Sequence, residues 1–266
     1  MTNQIIIVIC LTFLINLITT LSYSVRIVGI RTGRIAVSFA LFNILVLISR
    51  TANGFQAPLL ASSIEKNINA GFGGNLLDYR MIILSCTVAT ILGGFLIPTF
   101  QRILSIAVDR FSFYKSVPKV VFHGFTKTGL TSMKESMVMP KSDNLKGIKL
   151  TSDFPWKVFI MNIVAVAIVS IGVLSALYAG YLNPNFRSTA SNLSSIINGF
   201  ATILMFIFID PFLSVMTDDV VLGKTKESLF RRYIVYMVIA RIIGTVIAQF
   251  VFIPAARIIA LTARMI

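Results

Sequence analysis

The sequence predicts an all-α integral membrane protein with six transmembrane helices, and three observations carry that expectation. Of 266 residues, 56% are hydrophobic and only 13% are charged, with a mean hydropathy of +0.86, well outside the range of soluble domains. Six segments hold the roughly 20 apolar residues that a helix needs to cross the hydrocarbon. The 24 Lys and Arg, set against 10 Asp and Glu, fall almost wholly between those segments. A net charge of +14 in a soluble chain would suggest nucleic acid, but no compact polar domain exists here to present a basic face, so none is expected. Anionic lipid or an anionic substrate is the better partner class.

The first span is expected over 5–21. No basic stretch precedes it, and Arg26, Arg31 and Arg34 follow it where a cleavable signal would have small residues. The second covers 35–60. Its apolar run reaches Ser49 before Arg50, so the helix either continues through Arg50-Thr-Ala-Asn-Gly54 to Pro58 or breaks there inside the membrane, facing protein or water. The third covers 81–100. Residues 101–155 form the long hydrophilic stretch, with Phe111, Phe113, Tyr114, Phe122 and Phe125 among its lysines. It is expected to lie on the inner leaflet against anionic phospholipid headgroups, with a regulatory or docking loop as the alternative. His123, the only histidine, has no ligand companions and reads as solvated or interfacial. The last three spans are 158–180, 189–213 and 233–259. The chain thus divides into a three-span unit (1–100), a basic loop (101–156) and a second three-span unit (157–266).

Six crossings place the connections alternately on two sides. Seventeen Lys and Arg fall on one side and five on the other, with Arg50 and Arg241 inside spans. By the positive-inside rule the richer side is cytoplasmic and both termini face outward. A shift of 153 residues lays the first unit on the second: Arg34 meets Arg187, Phe55 meets Phe208, Pro58 meets Pro211 and Glu65 meets Asp218. Because each unit has three spans, the two copies would have opposite orientation, the inverted-repeat plan of many secondary transporters. Hydropathy symmetry alone would give a similar match.

Charges inside spans cost at least ~2.5 kcal/mol on insertion scales, which makes Arg50, Asp210 and Arg241 functional candidates. Arg50 lies 16 residues past Arg34, roughly 24 Å along a helix, and has no acid nearby in sequence, so it is a candidate for an anionic ligand. Asp210 and Arg241 approach the same side of the membrane, and an ion pair joining the fifth and sixth spans is expected. Arg26, Arg31 and Arg34 form an arginine-only turn whose guanidiniums suit bidentate contacts to phosphate, with Gly29 and Gly33 allowing close backbone approach. Positive-inside orientation alone also explains them. Asn53 and Gln56 are candidates for amide hydrogen bonds beside Arg50. Both cysteines, Cys10 and Cys86, lie in apolar runs and read as small hydrophobes. No Walker loop, zinc motif or nucleophile elbow is present, so no cofactor, metal or hydrolytic chemistry is expected.

The runs LSYSVRIVGIRTGR (21–34), LFNILVLISRTAN (41–53) and QAPLL (56–60) resemble the signature of the Amj family, bacterial lipid II flippases that substitute for the MurJ type in cell-wall synthesis. NPNFRSTA (183–190) and Asp210-Pro211 fit the same family. The resemblance implies a plasma-membrane transporter that is no enzyme, with lipid II as substrate: an undecaprenyl diphosphate carrying a disaccharide and a peptide stem. On this reading Arg26, Arg31 and Arg34 receive the diphosphate at the cytoplasmic edge, Arg50 meets it nearer the outer leaflet, and the two units rock to switch access. A homodimer is a further expectation, since six spans are few to enclose so large a headgroup. A small-solute or ion secondary transporter using Asp210, and a scaffold binding cell-wall enzymes through the basic loop, are the competing readings.

Overall fold

The computed structural model describes residues 2–124, 126–138 and 154–266, and every regular element among them is helical. Helix α1 (Asn3–Leu21) runs through Ser22 into α2 (Tyr23–Thr32). Gly33, in the left-handed region at φ 65°, ends it, a conformation that glycine adopts without strain. Helix α3 (Ile35–Asn69) is next, then α4 (Leu76–Tyr114). Asn75 starts α4, its Oδ1 accepting from the Leu77 N–H at 3.2 Å, with Asp78 in the favourable first turn. The short helices α5 (Val117–Gly124) and α6 (Lys127–Glu135) come after it. The second half comprises α7 (Trp156–Leu182), α8 (Arg187–Leu204), a π-helical turn at Met205–Ile209, α9 (Asp210–Val221) and α10 (Glu227–Met265).

Six of these stretches are long and apolar enough to cross a membrane: 3–32, 35–69, 76–111, 156–182, 184–221 and 227–265. All six expected spans are present, and this is a multi-pass membrane protein. Most run past the hydrocarbon; α4 alone, at 39 residues, is about 58 Å long. Residues 101–114 are therefore its continuation rather than a loop. From α6 the chain returns to α4, where Thr99 Oγ1 donates to the Val138 carbonyl at 3.0 Å. Phe113 and Phe122 are exposed, whereas Phe125, like 139–153, lies outside the described residues, as does the side chain of His123.

The second span does not break. α3 is helical through Arg50, Gly54 and Pro58, because Pro58 forfeits one hydrogen bond, whereas an opening in hydrocarbon would strand several backbone groups. The irregularity falls instead in the fifth span. Pro211 has no N–H for the Ile207 carbonyl, and the turn before it is wound as π-helix, with the Asp210 N–H reaching Met205 O.

Within each half the first helix is the hub. α1 packs against α3 and α4, and α7 against α8 and α10, while the second and third spans of each half barely meet; α4 and α10 join the halves. Close approach needs glycine at two of these crossings. A Cβ on Gly93 would stand 2.8 Å from Thr20 Cβ, and one on Gly244 would stand 2.7 Å from the Ile163 carbonyl.

Two apolar cores fill the bundle. One, toward the basic end, centres on Val25, Ile27, Val108, Phe230 and Met237. The other, toward the opposite end, centres on Val8, Leu60, Ile82, Ile83 and Phe252. Thr12, Asn16, Cys86, Thr90, Arg241 and Thr245, all buried, fall between them in the order of α1, α4 and α10. Aromatic clusters mark both ends, as membrane interfaces favour: Phe154, Trp156, Phe159 and Tyr236 at the basic end, and Tyr79, Tyr178, Tyr181 and Phe252 at the other.

Candidate functional site: a cation-ended groove between the second and fifth spans

The three arginines of 26–34 do not converge. Arg26 and Arg31 are five residues apart on the helical α2, roughly 140° around its axis, and go to different neighbours. Arg26 Nη1 donates to Ser214 Oγ at 3.0 Å, Nη2 lies 3.7 Å from Asp210 Oδ1, and the guanidinium stands 5.3 Å from the Phe39 ring centroid. Arg31 donates to Glu227 Oε1 from Nε at 2.9 Å and Nη2 at 2.8 Å, and to Gln101 Oε1 at 3.3 Å, clasping α2 to α4 and α10. Arg34 is exposed at the start of α3. The glycines serve packing and turning: a Cβ on Gly29 would lie 2.8 Å from Ile35 Cα, and Gly33 is the left-handed cap.

The expected Asp210–Arg241 pair does not form. Asp210 belongs to Arg26, its side chain 48% exposed against 14% for the arginine. Arg241 is 6% exposed in the bundle centre beside Tyr23 and Cys86. Its Nη2 donates to Asn16 Oδ1 at 3.2 Å, and its Nε has no partner among the described residues. The physical reason is rotation. α10 turns Arg241 onto the face that meets α1 and α4, away from α9, while the π turn rotates Asp210 toward α2.

Arg50 and Asn53 are exposed on α3, and Arg50 makes no ion pair among the described residues. Gln56 points the other way, its Nε2 donating to Thr12 Oγ1, and so belongs to helix packing. Phe39, Asn43, Arg50 and Asn53 recur at intervals of three, four and seven residues, one line along α3. Asn43, Arg50 and Asn53 are all exposed. On the fifth span a second exposed line runs through Ser188, Asn192, Ser195, Gly199 and Thr202. α3 and the α8–α9 span have almost no direct contact, yet both rest on α7. Arg26 touches Phe39 on one line and Asp210 and Ser214 on the other, and so closes the space between them at the basic end. The two peripheral spans thus stand apart over α7, leaving a groove with the Arg26 guanidinium at its basic end, and each carries an exposed polar line.

Sequence reasoning singled out Arg26, Arg50 and Asp210 as candidates but not Ser214 or the polar line of α8. The signal was present as polar residues at helical spacing within 188–202, and only Asp210 drew attention because only it is charged.

A bundle of six helices long and apolar enough to cross a membrane defines the class: a polytopic membrane protein. Residues 11–263 match the family described as Amj, Alternate to MurJ, and the chain belongs to that family. It is 39% identical over 263 residues to the Lipid II flippase Amj of Bacillus subtilis (strain 168), an alignment covering 97% of this chain and 96% of that protein. No solved structure matches it.

Proposed function

We propose that this protein is a lipid II flippase of the bacterial plasma membrane, a transporter rather than an enzyme, moving the undecaprenyl-diphosphate-linked cell-wall precursor from the inner to the outer leaflet. The observation that carries the proposal is the 39% identity, along nearly the whole of both chains, to a protein of that name. The groove gives it a physical route. The obstacle is a diphosphate and its sugars against about 30 Å of hydrocarbon, and a path lined by amides, hydroxyls and guanidiniums lowers it while the polyprenyl tail stays in lipid.

Arg26 receives the diphosphate. Its present partner is a half-exposed carboxylate at 3.7 Å, a loose contact that a more highly charged diphosphate displaces. Arg50, farther along α3, meets the headgroup toward the outer leaflet. Arg34 adds charge at the mouth, and Arg31 acts as a clasp. The two three-span units, 1–100 and 157–266, act as inverted repeats that rock against each other. Their shared packing order, with the first helix as hub, supports that plan. The basic segment of 101–156 faces the cytoplasmic side, where its lysines meet the field of the anionic inner leaflet, and both termini face outward.

The test is rescue. Cells deprived of their other lipid II flippases should grow on this protein and show lipid II in the outer leaflet. Arg26→Ala and Arg50→Ala should each lower outer-leaflet lipid II by at least tenfold at equal expression, with Arg26→Lys recovering part of it. Failure of the wild type to rescue would exclude the proposal, and full activity of the double alanine variant would exclude the assigned arginines.

A further inference from the structure

The α8 part of the fifth span carries polar side chains without internal partners. Many hydroxyls on the other spans fold back on their own helix: Thr12, Thr20, Ser38, Thr90 and Ser170 each donate to a carbonyl four residues earlier, at 2.7–3.1 Å. This is how a hydroxyl hides in an apolar medium. On α8, Ser188, Asn192 and Ser195 make no hydrogen bond with any described residue, and their side chains stand on the exposed side of the helix. Thr202, on the same line, donates back to the Asn198 carbonyl at 2.7 Å.

The spacing of this line is four, three, four and three residues from Ser188 through Gly199 to Thr202, a strip about 21 Å long. It is distinct from the exposed apolar side. Ile196, Phe200 and Ile203, all exposed, lie roughly 90° away, and Ala190 and Ala201, both buried, form the side packed on α7. The helix therefore has three sectors: one packed on α7, one exposed and apolar, and one exposed and polar.

Gly199 adds an independent observation. Gly93, Gly172 and Gly244 are each pressed against a neighbouring helix, whereas a Cβ on Gly199 would meet nothing within 4 Å. A residue that weakens a helix interior, unneeded for packing here, leaves room for something to approach the backbone. The π turn then keeps the strip continuous. Its extra residue rotates the remainder of the span by roughly 100°, which brings Ser214 onto the same line; in an uninterrupted helix Ser214 would share the apolar side with Ile196. At that end stands Arg26.

A neutral strip of hydroxyls and an amide, ended by a cation, is complementary to an uncharged polyhydroxyl group attached to a phosphate. We propose that the face of α8 from Ser188 to Thr202 binds the carbohydrate portion of the transported lipid, holding the sugars while Arg26 holds the diphosphate. This rests on the flippase reading and specifies which part of the chain meets which part of the substrate.

The full-length protein in nanodiscs, with a benzoylphenylalanine at position 192 or 195, is irradiated with either of two probes, labelled lipid II or labelled undecaprenyl diphosphate, which lacks sugars. Crosslinking to lipid II is expected to exceed that to undecaprenyl diphosphate at least fivefold at these positions, and to be equal for both at position 203. The combined variant Ser188→Ala/Asn192→Leu/Ser195→Ala/Thr202→Val should bind lipid II about tenfold more weakly and undecaprenyl diphosphate unchanged. Arg26→Ala should weaken both, and Trp156 fluorescence checks the fold. Unaltered lipid II binding by the combined variant, or an equal loss for both probes, overturns the carbohydrate strip and leaves the flippase reading standing. A wild type that binds neither probe overturns both. An intermolecular disulfide formed efficiently by Ser195→Cys would mean that a second copy of the chain covers this face, and would also overturn the proposal.

Discussion

Arg241 is a cation in the bundle centre with no acid beside it among the described residues, and removing the Asn16 amide that accepts from it should harm the protein more than removing the charge. Asn16→Leu takes away the amide oxygen that accepts from Nη2 at 3.2 Å. A hydrogen bond to a charged group is worth about 1.5–3 kcal/mol, and the loss is not offset, because the guanidinium is 6% exposed and Nε already lacks a partner. A loss of about 2 kcal/mol, roughly 30-fold in the folded-to-unfolded ratio, is expected. Arg241→Met removes the charge and its desolvation cost while keeping an unbranched side chain of similar reach. Replacing both members of a buried ion pair by apolar side chains is often neutral or stabilising by about 1–4 kcal/mol, and the same balance is expected for this cation replaced together with its amide partner. The double variant should therefore be more stable than Asn16→Leu alone. Unfolding by SDS in mixed micelles measures all three, with Trp156, the single tryptophan, packed against Phe154 and Phe159, as the probe. An Arg241→Met variant as unstable as Asn16→Leu would refute the reasoning, since the attractive contacts of the guanidinium would then outweigh its burial.

Three further outcomes are expected. Gly244→Leu, whose Cβ would meet the Ile163 carbonyl at 2.7 Å, should lose about 1–3 kcal/mol by parting α7 from α10, whereas Gly54→Ala, with nothing within 4 Å, should gain up to about 1 kcal/mol; the same SDS titration compares them. Gly33→Ala, forced into φ 65°, should cost about 1 kcal/mol, visible as a lower apparent melting temperature in detergent. In a cysteine-free background and intact cells, a cysteine at position 73 should react with a membrane-impermeant maleimide and one at position 115 should not; the reverse pattern would invert the orientation of the chain.

The existence and order of the six spans were legible because hydrocarbon imposes one rule on every segment, and runs such as 158–180 obey it without exception. Helix ends were less so. Residues 101–114 and 61–69 are polar enough to read as loops but are helical, since a helix already nucleated in the membrane propagates into water for as long as no strong breaker intervenes. The candidate site was half legible. Arg26, Arg50 and Asp210 stood out as charges in apolar surroundings, but partner choice depends on rotation about helix axes, and the π turn before Pro211 shifts that rotation by a full residue. That is why Asp210 meets Arg26 and not Arg241. The hydroxyl line of α8 escaped notice because serines in spans usually satisfy themselves.

The overhang of α4 has a mechanical consequence. Its most apolar part ends near Phe100, and 14 further residues continue as helix to Tyr114, roughly 20 Å farther on. Leu104 and Val108 are buried with Val25 and Phe230 in the core shared with α2 and α10, so the shaft is braced at its base and carries α5 and α6 at its tip. A tilt of 10° in α4 would sweep that tip by roughly 3 Å over the overhang. In a rigid shaft of this kind, any tilt among the spans would be read out as displacement of the basic segment at its tip.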